Sequence, residues 1–159
     1  MMRERSFDAR DAARGAAVTE RAVNWERWGI LYARWALGAG FLSGIADRFG
    51  WYTGRNVGYG NFAGFMSYTA KVNSFMPAVT IPFLAGAATA AEFFLGIALI
   101  LGIWPRWVAL GSALLLVLFG IAMGISFGIK SPMDYSVFSA SAGAVLLGLY
   151  GDRNAAAKA

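Results

Sequence analysis

Residues 78–129 read AVTIPFLAGAATAAEFFLGIALILGIWPRWVALGSALLLVLFGIAMGISFGI, and this stretch decides the fold. It contains two long apolar runs, about 78–103 and 107–129, separated only by residues 104–106. A transmembrane helix needs about 20 consecutive, predominantly apolar residues. Each run therefore predicts one membrane span, and the very short connection between them is typical of an antiparallel helical hairpin.

A further apolar segment lies on either side of this pair. The first, about residues 28–46, begins near Trp25 and Trp28, where an aromatic belt would anchor it, and its 19 residues rise about 28 Å. The second, about residues 133–150, is close to the lower length limit for a span. The sequence predicts an all-α polytopic membrane protein, an antiparallel bundle of four transmembrane helices over residues 28–150, with charged cytoplasmic tails at 1–27 and 151–159.

Composition agrees with a membrane protein and excludes several functions. Apolar and aromatic residues make up 58% of the chain and charged residues 14%, whereas a soluble domain carries about 25% charge. The chain has no cysteine and no histidine, so thiol chemistry and ordinary zinc, copper or iron–sulfur sites are excluded, and no metal is expected. The net charge of +5 does not predict nucleic-acid binding, because the basic residues lie at the ends of apolar segments and not on one wetted face.

The distribution of Lys and Arg predicts the orientation. If both termini share a side, nine basic residues lie there and four lie opposite. The positive-inside rule then places both termini in the cytoplasm. We expect the protein to be integral to the bacterial inner (plasma) membrane. The nine are Arg3, Arg5, Arg10, Arg14, Arg21, Arg27, Arg106, Arg153 and Lys158, and the four are Arg48, Arg55, Lys71 and Lys130.

The segment between the first two spans, residues 49–76, is rich in aromatic residues and too long for a simple turn. Part of it shows helical periodicity, which predicts a short amphipathic helix at the outer interface. Two interpretations stay open, a lid over a cavity between the helices and a lipid-anchored connector. The residues of the apolar face are Phe62, Phe65, Met66, Thr69, Val72 and Met76.

Glu92 is the most informative single residue, because it lies near the middle of the second span. A carboxylate at that depth is costly unless it is buried and paired, so Glu92 is either a functional group or a packed, hydrogen-bonded acid. Arg34 in the first span is a tempting partner, but its depth does not match, and direct pairing would need tilt or a bridging water. Snorkelling to the interface is the alternative for Arg34. Five charged residues belong to the outer end of the bundle, where they could line a polar mouth, although we expect wetted loop charges; they are Asp47, Arg48, Arg55, Lys130 and Asp134.

Small residues recur every fourth position on three of the spans. Such stripes let helices approach closely in lipid. They fit packing within one bundle, or a homo-oligomer. The stripes are Ala36, Gly40 and Gly44; Gly120, Gly124 and Gly128; and Ser136, Ala140, Ala144 and Gly148.

Two motifs in the spans resemble the DoxX family. The first is the run Arg34-Trp35-Ala36-Leu37-Gly38, continued by Phe41, Gly44 and Asp47-Arg48; the second is Glu92-Phe93-Phe94-Leu95-Gly96, continued by residues 99–103 and Arg106. The resemblance covers about residues 33–148. It implies a four-helix membrane protein that is often linked to redox partners, as in the membrane subunit of a thiosulfate:quinone oxidoreductase. The more distantly similar vitamin K epoxide reductases use a cysteine pair that is absent here.

Two functions remain open on this evidence. One is an accessory, non-catalytic subunit of a membrane redox system, which binds a quinone or lipid-like molecule between the helices and holds an oxidoreductase or other membrane protein. The other is a non-redox carrier or scaffold for small molecules, lipids or another membrane protein. No intrinsic cofactor and no catalytic residue is assigned. The expected ligand contacts are Glu92, Arg34, Trp51, Tyr52, Tyr59, Phe62, Tyr68 and Tyr135.

Overall fold

The computed structural model describes the backbone of residues 2–55 and 57–151 and the side chains of residues 25–55 and 57–151. Within these ranges the protein is all-α, and no strand occurs. The helices are α1 (Met2–Arg48), α2 (Phe62–Val72), α3 (Ile81–Leu101, preceded by a 3-10 turn at Ala78–Thr80), α4 (Pro105–Phe127), α5 (Lys130–Asp134) and α6 (Val137–Tyr150).

The chain divides into two compact units, Met1–Tyr32 and Ala33–Ala159. Helix α1 begins at Met2, so most of the segment that the sequence assigns to an N-terminal tail is helical. The expected C-terminal tail lies, apart from Gly151, outside the described residues. All the packing described below lies within the second unit.

The second and third predicted spans correspond to helices that are long and apolar enough to cross a membrane, Ala78–Leu101 and Pro105–Phe127. Only 22% and 28% of their most apolar windows are buried, whereas a core helix of a soluble protein is mostly buried. Large apolar side chains such as Phe83, Phe94 and Ile125 are exposed on them. These exposed surfaces fit a lipid environment, in which apolar side chains need no protein cover.

Close glycine contacts join α1 to α3. A Cβ atom at Gly38 would lie 2.8 Å from the carbonyl oxygen of Gly96, and one at Gly96 would lie 3.2 Å from that of Gly38. The stripe of small residues predicted on α1 is therefore only partly right. Gly44 approaches Glu92, but a Cβ atom at Gly40 would have no neighbour within 4 Å. The close contact with α3 is made by Gly38, which lies outside the stripe.

The predicted stripes on α4 and α6 are only partly right, because Gly120 and Gly148 lie between these two helices, whereas a Cβ atom at Gly124 would meet only Pro132 of α5 and one at Gly128 would meet nothing within 4 Å. A Cβ atom at Gly120 would lie 2.7 Å from the ring of Phe138, and one at Gly148 would lie 2.9 Å from Leu110. The Ser141 hydroxyl also donates a hydrogen bond to the carbonyl of Ala113 at 3.1 Å. Small residues on both helices thus allow close packing within one chain.

The fourth predicted span is not one continuous helix. The chain breaks between α5 and α6 at Tyr135 and Ser136, and Ser136 adopts a left-handed conformation with φ 54°. Helix α6 has 14 residues and is about 21 Å long, shorter than the roughly 30 Å hydrocarbon core. The prediction of a single helix over residues 133–150 is therefore wrong.

The amphipathic helix between the first two spans is confirmed as α2. The Asn61 side chain caps its N-terminus by accepting a hydrogen bond from the Gly64 amide at 2.8 Å. Its buried residues are Phe65, Thr69 and Val72, all members of the predicted apolar face. This face packs against α3 and α4, and the Ser126 hydroxyl of α4 donates to the Val72 carbonyl at 2.6 Å.

Candidate functional site

A buried ion pair joins the last residue of α1 to the middle of α3. The Arg48 Nη2 atom lies 2.7 Å from Glu92 Oε1 and 2.8 Å from Oε2. The two side chains are 4% and 5% exposed. Arg48 Nη1 also donates to the Thr89 hydroxyl at 3.0 Å. Glu92 is therefore buried and paired, as its depth in the span predicts.

Two further features of the Arg48 guanidinium are a contact with an aromatic ring and an N–H group that makes no hydrogen bond to the described residues. Its Cζ atom lies over the ring of Phe65, 3.6 Å from the ring centroid, which is a cation–π contact. Its Nε atom is buried and has no hydrogen-bond partner among the described residues. A buried donor without a partner costs free energy, so an acceptor that came within reach of this N–H would be stabilising.

The loop after α1 is wrapped around the Asp47 carboxylate. Its oxygens accept hydrogen bonds from the backbone amides of Gly58 at 3.0 Å, Tyr59 at 2.8 Å and Gly60 at 3.4 Å. Asp47 is 7% exposed, so the expectation of wetted charges at the end of the first span is wrong for Asp47 as well as for Arg48. A Cβ atom at Gly58 would lie 2.8 Å from Asp47 Oδ2, so glycine permits this close approach.

The loop brings Tyr59 over the ion pair. Its ring lies 5.1 Å from the ring of Phe65 and 5.3 Å from that of Tyr68, and Arg48 Cζ lies 5.9 Å from its centroid. Burial, and secondarily the neighbouring Tyr68, raise the pKa of the Tyr59 phenol to about 12. The phenol therefore stays protonated at neutral pH and can donate a hydrogen bond.

Arg48, Glu92 and Tyr59 line a cavity of about 500 Å³, within the range of roughly 300–1,000 Å³ typical of small-molecule sites. Helices α2, α3 and α4 form most of its wall, and most of the wall is apolar. The lining residues are Arg48, Tyr59, Phe65, Tyr68, Thr69, Val72, Asn73, Leu84, Ala87, Ala88, Ala91, Glu92, Leu115, Leu116, Leu118, Phe119, Ala122, Met123, Tyr135 and Val137.

A model of the DoxX family matches residues 29–125, which make up more than half of the chain. The chain belongs to the DoxX family. The matched region contains both Arg48 and Glu92, together with α2, α3 and most of α4. No curated protein and no solved structure matches the sequence.

Four of the ligand contacts expected from the sequence line the cavity of this DoxX protein, namely Glu92, Tyr59, Tyr68 and Tyr135. The other aromatic candidates lie outside it. Trp51 is 80% exposed, and the Tyr52 hydroxyl lies 3.0 Å from that of Ser43. Phe62 stacks on Phe49 with ring centroids 6.4 Å apart.

Arg34 also lies outside the cavity, at the opposite end of α3. Its Nε donates to the Leu99 carbonyl at 2.8 Å and its Nη2 to the Ile100 carbonyl at 3.1 Å. The last carbonyls of a helix lack partners within the helix and carry the negative end of its dipole, so an arginine is well placed there. Arg34 therefore caps α3 and neither pairs with Glu92 nor lines the cavity.

Sequence reasoning missed Arg48 as a site residue. A charge at the end of an apolar run usually marks the boundary of a span, and that general rule assigned Arg48 to the wetted surface. Glu92 itself could have indicated the role of Arg48. A buried carboxylate needs a nearby cation, and Arg34 lies at the wrong depth to supply it. Among the described residues of this DoxX protein, no group of three or more acidic, His or Cys residues could hold a metal ion.

Proposed function

We propose that this DoxX-family membrane protein binds an uncharged, lipid-soluble carbonyl compound of the quinone class in the cavity, as an accessory subunit of a membrane redox system. The observation that carries the proposal is Arg48, which lines a largely apolar cavity and whose buried Nε–H has no hydrogen-bond partner among the described residues. A quinone oxygen would accept this hydrogen bond. Tyr59, whose protonated phenol lies beside Arg48, would supply a second donor.

The charge balance of the site favours a neutral headgroup. The charge of Arg48 is already matched by Glu92 at 2.7 Å. A carboxylate or phosphate would bring an uncompensated negative charge into an apolar cavity, which is costly. A neutral carbonyl compound avoids that cost and still satisfies the free donor.

The residue composition supports an accessory role. With no cysteine and no histidine, it offers no thiol pair and no His-ligated or Cys-ligated metal centre to carry electrons. The bound quinone would be the redox-active group, and electrons would reach it from a partner oxidoreductase. The protein would hold the quinone and orient its oxygens.

We also propose the complete topology, four antiparallel spans in the inner membrane with both termini in the cytoplasm. Arg34 contacts the end of α3 and Arg48, later in α1, contacts its middle, which supports opposite directions for these two helices. Helices α5 and α6 together would form an interrupted fourth span. The distribution of Lys and Arg supports the orientation.

Binding of menadione, a methylnaphthoquinone without a tail, tests the proposed function. The protein is placed in lipid nanodiscs, and binding is followed by saturable quenching of its tryptophan fluorescence. Arg48→Lys keeps the charge but removes Nε–H, and we expect it to weaken binding by about tenfold, since a hydrogen bond from a charged donor contributes roughly 1.5–3 kcal/mol. Tyr59→Phe should weaken binding by a smaller factor.

The matched control is Tyr52→Phe, which removes a phenol from the same loop but outside the cavity. It should bind menadione like the wild type. Equal effects of the two Tyr→Phe variants, or no saturable binding by the wild type, would contradict the proposal. Co-purification of one stoichiometric phospholipid or fatty acid in place of a quinone would favour a non-redox lipid carrier.

A further inference from the structure

The wall of the cavity has distinct polar and apolar parts. Apart from Glu92, the residues of α3 and α4 that line it are all apolar, whereas its polar groups come from Glu92 and from the rest of the wall, namely Arg48, Tyr59, Tyr68, Thr69, Asn73 and Tyr135. On α3 the apolar lining residues are Ala87, Ala88 and Ala91, together with Leu84. Three alanines on one helix face leave room that larger side chains would fill.

The cavity lies along the part of the α3–α4 pair that is remote from their connection. Near the connection the two helices are close, since a Cβ atom at Gly111 would lie 3.4 Å from Leu95. Farther along, Ala87 of α3 and Leu118 of α4 both line the cavity, and both are exposed although they lie on packed helices. The cavity therefore reaches the surface of the two helices that are apolar and long enough to span a membrane.

We infer that the ligand is a single-tailed amphiphile whose neutral head lies at Arg48 and whose apolar tail leaves the cavity sideways, past Ala87 and Leu118, into the lipid. The inference rests on the proposed function, which assigns the binding site of the quinone headgroup. It adds that the ligand has an apolar tail and states the path by which the tail reaches the lipid. An opening between apolar helix surfaces faces acyl chains, so a tail that passes through it stays in an apolar environment. A compact water-soluble ligand would gain nothing from such an opening.

The test compares menadione with phylloquinone, which has the same methylnaphthoquinone head and a phytyl tail. Both are titrated into nanodiscs, and their concentrations are expressed per lipid. Ala87→Phe places a bulky ring in the exit path. We expect it to weaken phylloquinone binding by about tenfold and menadione binding by less than about twofold, where tenfold corresponds to about 1.4 kcal/mol.

Ala90→Phe is the matched control. Ala90 is an exposed alanine of the same helix that does not line the cavity. It should leave the affinities for both quinones unchanged. Phylloquinone partitions into the lipid equally for every variant. A difference in phylloquinone affinity between Ala87→Phe and Ala90→Phe therefore reports the path of the tail and not its solubility.

A second measurement does not depend on a bulky substitution. A benzophenone amino acid at position 118 should cross-link to the phytyl tail on illumination, whereas one at Ile121, an exposed residue of α4 outside the cavity, should not. Equal cross-linking at both positions, or equal weakening of both quinones by Ala87→Phe, would overturn the tail path while menadione binding still supported the proposed function. Failure of menadione to bind the wild type would overturn both.

Discussion

Arg48 contacts both carboxylate oxygens of Glu92 through a single nitrogen, Nη2, at 2.7 and 2.8 Å. An arginine that pairs side-on with a carboxylate commonly uses two nitrogens, and one of them is often Nε. Here Nη1 is directed to Thr89, and Nε has no partner among the described residues. The same contact thus fixes the end of α1 against the middle of α3 and leaves one buried donor for a ligand.

Neutralising Glu92 should destabilise the fold. Glu92→Gln keeps the shape of the side chain but leaves the Arg48 charge buried without a counter-charge. Breaking a buried pair in this way costs about 3–5 kcal/mol in soluble proteins. We expect a clearly lower melting temperature in mild detergent.

The double variant Arg48→Met/Glu92→Gln should recover much of that stability, because it no longer contains a buried unpaired charge. It should not recover menadione binding, because the donor has gone. Asp134→Asn is the matched control for removing a carboxylate, since Asp134 pairs with Lys130 on the surface, where such pairs contribute about 0–1 kcal/mol. A Glu92→Gln variant that melted like Asp134→Asn would show that the buried pair does not hold α1 to α3.

The cap of α3 should show strong coupling between Arg34 and Gly102. Gly102 has φ 75°, and a Cβ atom there would collide with the Arg34 guanidinium. Gly102→Ala should therefore lower the melting temperature, with about 1–2 kcal/mol from the left-handed backbone alone. In an Arg34→Ala background the collision is absent and the cost of Gly102→Ala should be smaller. An equal cost in both backgrounds would mean that Arg34 does not occupy this cap.

Removing the charge of Asp47 should loosen the loop that carries Tyr59. The carboxylate accepts hydrogen bonds from three backbone amides, whereas Asn offers one oxygen and turns an NH₂ group toward the remaining donor. In Asp47→Asn we expect faster hydrogen exchange at Gly58, Tyr59 and Gly60 and weaker menadione binding. Unchanged exchange at these three amides would contradict the positioning role of Asp47.

The parts of the fold that the sequence predicts well are those set by continuous patterns. Helices α3 and α4 follow from apolar runs of membrane length, and α2 follows from the helical spacing of Phe65, Thr69 and Val72. The burial of Glu92 follows from its position in an apolar run, because an unpaired carboxylate there would be costly. Each of these inferences depends on local sequence and a solvation cost.

The features that were mispredicted depend on contacts between distant parts of the chain. Asp47 and Arg48 have the local appearance of a wetted stop signal, and only the return of the loop to Asp47 and of α3 to Arg48 buries them. Ser136 lies in a stretch that was predicted as one continuous helix, yet its φ of 54° belongs to the break between α5 and α6. No periodicity in the sequence marks either event.

The Tyr59 phenol should titrate far above the usual range for tyrosine. Its pKa is raised to about 12, chiefly by burial, so the folded protein should lose stability as the pH rises from about 10, where the phenol of the unfolded chain deprotonates, to about 12. The phenolate absorbance of Tyr59→Phe, subtracted from that of the wild type, should give a difference curve with a midpoint near pH 12. The donor to the ligand is then constant at neutral pH. A midpoint near the ordinary tyrosine value of about 10 would show that the phenol is wetted.

Cysteine labelling tests the topology directly, because the chain contains no cysteine and each introduced thiol is unique. Thr53→Cys lies in the loop after α1, and Ile103→Cys lies in the connection between α3 and α4; both positions are exposed. A membrane-impermeant maleimide should label Thr53→Cys in intact spheroplasts and Ile103→Cys only after the membrane is permeabilised. This outcome is expected because the predicted side that holds both termini and Arg106 carries more Lys and Arg than the opposite side. The positive-inside rule places the side with more Lys and Arg in the cytoplasm. Labelling of Ile103→Cys alone in intact spheroplasts would invert the orientation, whereas labelling of both would mean that α3 does not cross the bilayer.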